Sequence, residues 1–260
     1  MATATSSTVV KAFQVLRLFR AHPLLGAGEC ARILGMPRAS AHRMLVSLKK
    51  AGALEVTPRG QYRLTLQMFE IGHHVPRQRW LFEAAYLPME ELVTKTGLSA
   101  HLAVRDGLEL VYIVKLRHAP DRTRARAGER NWLHATALGK VLLAHAPEEI
   151  VGELVQQGVF PCTPHTIVTR QQLYRQLERA RSEGFAYDFE ERTIGLVSIA
   201  VPVCDPRGHV VASLSVLAPA EKYRPRLDQF KPVLSGTRRQ IEQQLRRPDR
   251  PESLLARVDA

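Results

Sequence analysis

Cysteine is scarce in this chain. Cys30, Cys162 and Cys204 are spread over 260 residues with no C-x-x-C pair, which argues against a disulfide framework and against a zinc module. Ordinary buried thiols are the simpler expectation. Long apolar runs are missing too. No stretch approaches the roughly 18 residues of a membrane span, and Met1 to Thr8 is small and polar, with no basic patch leading into an apolar run. The chain therefore reads as cytoplasmic, with no membrane partner. Catalytic signatures are absent as well. Gly139-Lys140 makes no phosphate loop, because His134 stands where a glycine is needed and Val141 where Ser or Thr is needed. There is no G-x-S-x-G elbow. The acid pairs Glu90-Glu91, Glu148-Glu149 and Glu190-Glu191 are adjacent, and adjacent helical carboxylates point apart. His73-His74 and the other histidines lack H-E-x-x-H spacing, so no metal site and no cofactor are expected.

Acid is also sparse where it would matter for a polyanionic partner. The whole chain carries a formal charge of +12, with 45% apolar and 24% charged residues, the proportions of a globular protein. Residues 1–75 hold ten Lys/Arg against three Glu, a net +7, which leaves +5 for the other 185 residues. Basicity concentrated in a short N-terminal segment suits a compact nucleic-acid-binding module.

Periodicity gives that segment a shape. Val9, Phe13, Leu16 and Phe19 recur at helical spacing from Thr8, and His22-Pro23 stops the run. A short second helix fits Ala27 to Leu34, with Gly35 as its C-cap. A third starts at Pro37 and runs to about Lys50. Leu54 and Val56, then Tyr62 and Leu64, alternate on either side of Pro58-Arg59-Gly60, a hairpin signal. Three helices and a two-stranded wing form a winged helix-turn-helix over 1–65. A connecting helix is expected over 66–82, with Pro76 and Pro88 as interruptions. A second, larger domain is expected over 83–247, and a loose tail over 248–260.

The larger domain reads as α+β with a mostly antiparallel sheet. Ala100–Val104 and Leu108–Val114 flank an Arg105-Asp106-Gly107 turn. Helices follow near 135–145, 147–157 and 170–183, the last opening on the Thr169 capping box and closing at Gly184. Strands near 185–188, 196–203 and 209–217 precede a helix from Pro225 to Arg246. Arg122, Arg124 and Arg126 alternate, as a solvated edge or a second anion contact.

The third helix carries the recognition chemistry. At 100° per residue Ala41, Met44, Leu45 and Leu48 form a buried face. Arg38, Ala39, Ser40, His42, Arg43, Val46, Ser47 and Lys50 then lie on or beside the opposite face. Cationic and short hydroxyl side chains suit base edges and phosphates, and Arg43 is the best candidate for a bidentate guanine contact. Arg59 at the wing tip, with Gln61 and Arg63 beside it, would hold backbone phosphate or probe the minor groove.

With these features the chain resembles the IclR (isocitrate lyase regulator) family of transcription factors. The N-terminal resemblance runs from Cys30 to Leu45 and continues through Leu48, Gly52, Gly60, Tyr62, Arg63 and Leu64. Ala39 departs from it, standing where the family commonly has Ser. The C-terminal resemblance lies in Leu133–Lys140, Gly184–Glu191, Gly195, Ile199–Val203, Asp205 and Ala212–Val216. It implies a GAF-like effector domain and a homodimer or homotetramer bound to an inverted-repeat operator in double-stranded DNA. A small-molecule effector, an organic or aromatic acid, is implied too. Its pocket would be lined by Ala137, Leu138, Asp188, Ser198, Ser215 and Leu217, with Ser198 in place of a Cys and Leu217 in place of a Ser. Repression is the simpler output, since it needs only occupancy. Two rivals stay open on the residues alone: an architectural DNA binder, which would need no large sensor domain, and a small-molecule-binding enzyme with a basic N-terminal appendage.

Overall fold

The computed structural model describes residues 5–118 and 126–246. Arg122, Arg124 and the 248–260 tail lie outside the described residues; Arg126 is exposed. The chain divides into two units, 1–76 and 77–260.

The first unit contains α1 (Ser7–Leu18), α2 (Ala27–Leu34), α3 (Arg38–Lys50), β1 (Leu54–Val56), β2 (Tyr62–Leu64) and α4 (Leu66–His73). Gly35 closes α2 in the left-handed region, φ +61°, and its N–H donates to the Ala31 carbonyl. That turn re-aims the chain so that Pro37 opens α3. Val15, Phe19, Leu25, Cys30, Ala41, Leu45, Leu48, Leu54 and Tyr62 form one core, with Met44 partly buried against it. β1 and β2 pair antiparallel with Val56 opposite Tyr62, and Leu25 adds a bridge to Tyr62 by exchanging both backbone bonds at 3.0 and 2.8 Å.

The face expected on α1 is displaced. Val9 and Phe13 are exposed at 55% and 58%, while Val15 and Phe19 are buried. The buried stripe runs through Ala12, Val15, Leu16 and Phe19, because α2 and α3 cover only the C-terminal half of α1. The 66–82 connection is likewise two helices, α4 and α5 (Pro76–Thr96), parted at His74-Val75. Proline lacks an N–H and disfavours helical geometry in the residue before it, so Pro76 starts a helix rather than continuing one. Pro88 does not interrupt α5; it is buried inside that helix.

The second unit is built on six antiparallel strands: β3 (Ser99–Asp106), β4 (Glu109–Leu116), β5 (Arg130–Trp132), β6 (Ala186–Phe189), β7 (Leu196–Cys204) and β8 (Val210–Pro219), in the order β5-β4-β3-β8-β7-β6. α5 and α10 (Lys231–Leu245) bury Leu81, Met89, Leu234 and Ile241 against one face. α6 (Ala137–Ala144) and α8 (Arg170–Glu183) bury Val141, Leu143, Leu173 and Leu177 on the other. Covered twice, β7 is buried continuously from Val197 to Val203 instead of alternating. α7 (Glu148–Gln157) follows α6, and α9 (Ala220–Tyr223) and a 3-10 helix (Arg224–Phe230) lead into α10, so the single helix expected from Pro225 begins later. β5 was not expected.

Candidate DNA-reading face and effector cavity

Every polar residue proposed for α3 reaches solvent. Arg38, Ala39, His42, Arg43, Ser47 and Lys50 are exposed and Ser40 is half-buried, while Ala41, Leu45 and Leu48 hold the helix down from beneath. Lys49, which the helical projection passed over, is exposed beside Lys50; cations at this end also meet the partial negative charge of the helix C-terminus. On the wing, Arg59 is exposed and Gln61 half-buried, its N–H donating to the Thr57 hydroxyl at 3.2 Å. Arg63 is a different case. Its Nε donates to Glu55 Oε1 at 2.5 Å across the β1–β2 pair, so it has a carboxylate partner already.

The second unit contains a cavity of about 300 Å³ over one face of the sheet, near the start of α6. Thr136 caps that helix, accepting from Gly139 N–H at 3.0 Å and donating to the Trp132 carbonyl at 3.0 Å. Gly139 is required by packing: a Cβ there would fall 2.2 Å from the Leu133 carbonyl oxygen. Leu138, Asp188, Ser198, Ser215 and Leu217 all line the cavity, as the family resemblance implied. Ala137 does not; it is buried in the α6–α8 core, and Thr136 lines the cavity in its place.

Sequence reasoning missed the cationic side of this cavity, Lys115 and Arg192, together with His101, Tyr112 and Asn131. Arg192 Nε donates to Asn131 Oδ1 at 2.7 Å, and Asn131 Nδ2 to the Tyr112 hydroxyl at 2.9 Å. Lys115 Nζ lies 4.4 Å from the Tyr112 ring centre. The strand period gave a usable signal, since His101 shares a sheet face with the buried Ala103 two residues on. Arg192 gave none: it adjoins the Asp188–Glu191 motif in sequence, but only the tertiary fold brings Asn131 to it.

Asp188 is the most perturbed group here. Burial pushes its carboxyl up to about 7, the Lys140 ammonium works against that shift, and Glu191 adds to it. Its Oδ1 accepts from the Glu191 N–H at 2.7 Å. Beneath it Lys140 and Glu191 form a buried ion pair at 2.6 Å. The lysine beside Gly139 is thus a structural cation, not part of a phosphate loop.

A helix-turn-helix with an exposed cationic second helix and a basic wing, on the same chain as a domain enclosing a small polar cavity, defines a DNA-binding transcription regulator. Sequence models of the IclR helix-turn-helix domain and of the bacterial transcriptional regulator IclR C-terminal domain match residues 8–58 and 73–243. The chain belongs to the IclR family. It is 32% identical over 249 residues to the HTH-type transcriptional regulator KdgR of Escherichia coli, covering 94% of this chain and 95% of that protein. It is 34% identical to the transcriptional repressor AllR of Salmonella typhi, covering 73% and 71%. Among solved structures, the Thermotoga maritima IclR superposes with a TM-score of 0.73 at 30% identity, over 92% and 98% of the two chains. An IclR homolog from Microbacterium hydrocarbonoxydans, complexed with 4-hydroxybenzoate, superposes with a TM-score of 0.84 at 26% identity, over 92% and 99%. The family and these relatives are regulators, not enzymes.

Proposed function

We propose that this regulator is a repressor that occupies an inverted-repeat operator as a homodimer or homotetramer and is controlled by a small hydroxylated carboxylic acid. The exposed α3 face carries the DNA half of the reading, and Arg43 is assigned to base contact and Arg59 to phosphate. The cavity carries the other half. Lys115 and Arg192 supply two cations for a carboxylate, Ser198 and Ser215 supply hydroxyls, and Leu138, Leu196 and Leu217 supply apolar wall. A volume of about 300 Å³ sits at the small end of ligand pockets and suits a single-ring or short-chain acid. The complex of a relative with 4-hydroxybenzoate belongs to that chemical class. We assign 1–65 to DNA reading, 83–247 to effector binding, and 66–82 to joining the two.

A thermal-shift screen of organic acids, followed by operator titration with each hit, tests the reading. A true effector raises the melting temperature and changes operator affinity, since ligand and DNA binding are reciprocally linked. Ser215→Trp, which fills the cavity, should abolish that response. Turnover of a hit by the purified protein, or an unchanged response in Ser215→Trp, would contradict the assignment.

A further inference from the structure

The outer face of α3 holds a side chain, Val46, that neither the core nor contact with phosphate accounts for. Val46 is exposed at 43%, while every other exposed side chain of α3 is a cation, a histidine, a hydroxyl or Ala39. Helical spacing puts Ala39, Arg43, Val46 and Lys50 in one stripe, opposite the buried Ala41, Leu45 and Leu48. A β-branched residue at such a position is also a weaker helix former than Ala. Single exposed apolar side chains are ordinary on protein surfaces. This one is set among the groups assigned to the duplex.

We propose that Val46 reads the 5-methyl group of a thymine in each operator half-site, close to the guanine assigned to Arg43. The inference rests on the assignment of α3 to base reading and adds a second kind of contact to it. Base edges in the major groove present hydrogen-bonding groups at every pair, and the thymine methyl is the apolar group among them. The Val46 side chain has no hydrogen bond to offer. Against the amino group of adenine or cytosine it would leave a donor without a partner, whereas a methyl group asks for none. Position along the helix fixes where the thymine stands. Val46 follows Arg43 by three residues, about 4.5 Å along the axis at roughly 1.5 Å per residue. Base pairs stack about 3.4 Å apart, so the methyl lies one or two base pairs from the guanine. Ala39, one turn before Arg43 on the same stripe, is short enough to let that end of the helix approach the bases. Arg38, His42, Lys49 and Lys50 flank the stripe with groups suited to phosphate. Val46 thus sits inside a cationic rim, where a docked duplex would take it out of water.

The test uses the full chain and an operator duplex recovered by selection with it, in which each thymine is replaced in turn by deoxyuridine. Deoxyuridine pairs as thymine does and lacks only the methyl. Affinities of wild type, Val46→Ala and Arg43→Ala are read by fluorescence anisotropy, and melting temperatures check folding. The reference guanine is the one whose replacement no longer matters to Arg43→Ala. One deoxyuridine per half-site, within two base pairs of that guanine, should weaken wild-type binding about fourfold, the worth of one buried methylene-sized group. Val46→Ala should bind the parent operator more weakly and be indifferent to that same replacement, because both changes remove one contact. Replacements farther from the guanine should affect wild type and Val46→Ala equally. The proposal is overturned if wild type ignores every replacement, if Val46→Ala keeps full sensitivity, or if selected operators carry no thymine within two base pairs of the guanine. It is also overturned if Val46→Ala changes the molecular mass in light scattering while its deoxyuridine profile matches wild type, since a second copy of this chain would then cover the side chain. Should Arg43→Ala lose nothing on the operator, the reading of α3 fails and this inference with it. A loss in Arg43→Ala beside a flat deoxyuridine profile sinks this inference alone.

Discussion

At the scale of single residues, geometry separates groups that composition treats alike. Arg59 and Arg63 are both wing arginines, yet Arg63 is engaged by Glu55 at 2.5 Å while Arg59 stands exposed at the tip. If Arg59 holds a phosphate, Arg59→Ala should weaken binding to all duplexes alike and lower the slope of log affinity against log salt by about 0.9, measured by titration at several salt concentrations. Arg63→Ala should change that slope less. Asp188 offers a pH signature. Its carboxyl titrates near 7 in the fold, against 3.8 for the ordinary group, so the native state holds a proton that the unfolded chain has released over that interval. Stability is consequently lost as pH rises from about 4 to 7, and the loss is complete above the folded value. Asp188→Asn keeps an acceptor for the Glu191 N–H but cannot ionise. Its melting temperature relative to wild type should climb between pH 5 and 8; a constant difference would contradict a raised carboxyl.

Among the elements, α6 bears most directly on the cavity, and two of its residues make it intolerant of change. Gly139 touches the Leu133 backbone so closely that Gly139→Ala must displace one or the other, an overpacking cost of about 1–3 kcal/mol readable by denaturant unfolding. Lys140→Met strands Glu191 as a buried, unpaired carboxylate and should cost about 3–5 kcal/mol, whereas Lys140→Met combined with Glu191→Leu should recover much of that loss. Legibility in the sequence also divides by element. α2, Gly35 and α3 were readable because capping, a left-handed glycine and a 3.6-residue period all act locally. The exposed Val9 and Phe13 were not, because burial there depends on how far the neighbouring helices extend. β5 was invisible: three residues with intermediate burial carry no alternation. Five of the six effector residues drawn from the family resemblance line the cavity. The cationic side was unreadable, since Lys115 and Arg192 meet only through strand pairing and a 61-residue separation between Asn131 and Arg192.

For the molecule as a whole, the apolar surface left uncovered bears on assembly. Val9, Val10 and Phe13 on α1, and Leu66, Phe69 and Ile71 on α4, are exposed at 45–70%. The two-fold partner proposed above, with the inverted-repeat operator it would read, would cover apolar side chains of this kind. Phe13→Glu/Phe69→Glu should therefore shift the protein to a smaller mass by light scattering and lower operator affinity, while the unit's own core stays intact. Everything downstream rests on the outer face of α3 reading base sequence, and one comparison addresses it. Wild type and Arg43→Ala are titrated by fluorescence anisotropy against an operator duplex, recovered by selection with the wild-type protein, and against its scrambled counterpart. Loss of about 1–3 kcal/mol from operator binding, with scrambled-duplex affinity changed far less, is the expected result. Equal affinity of the two proteins for the operator would contradict it.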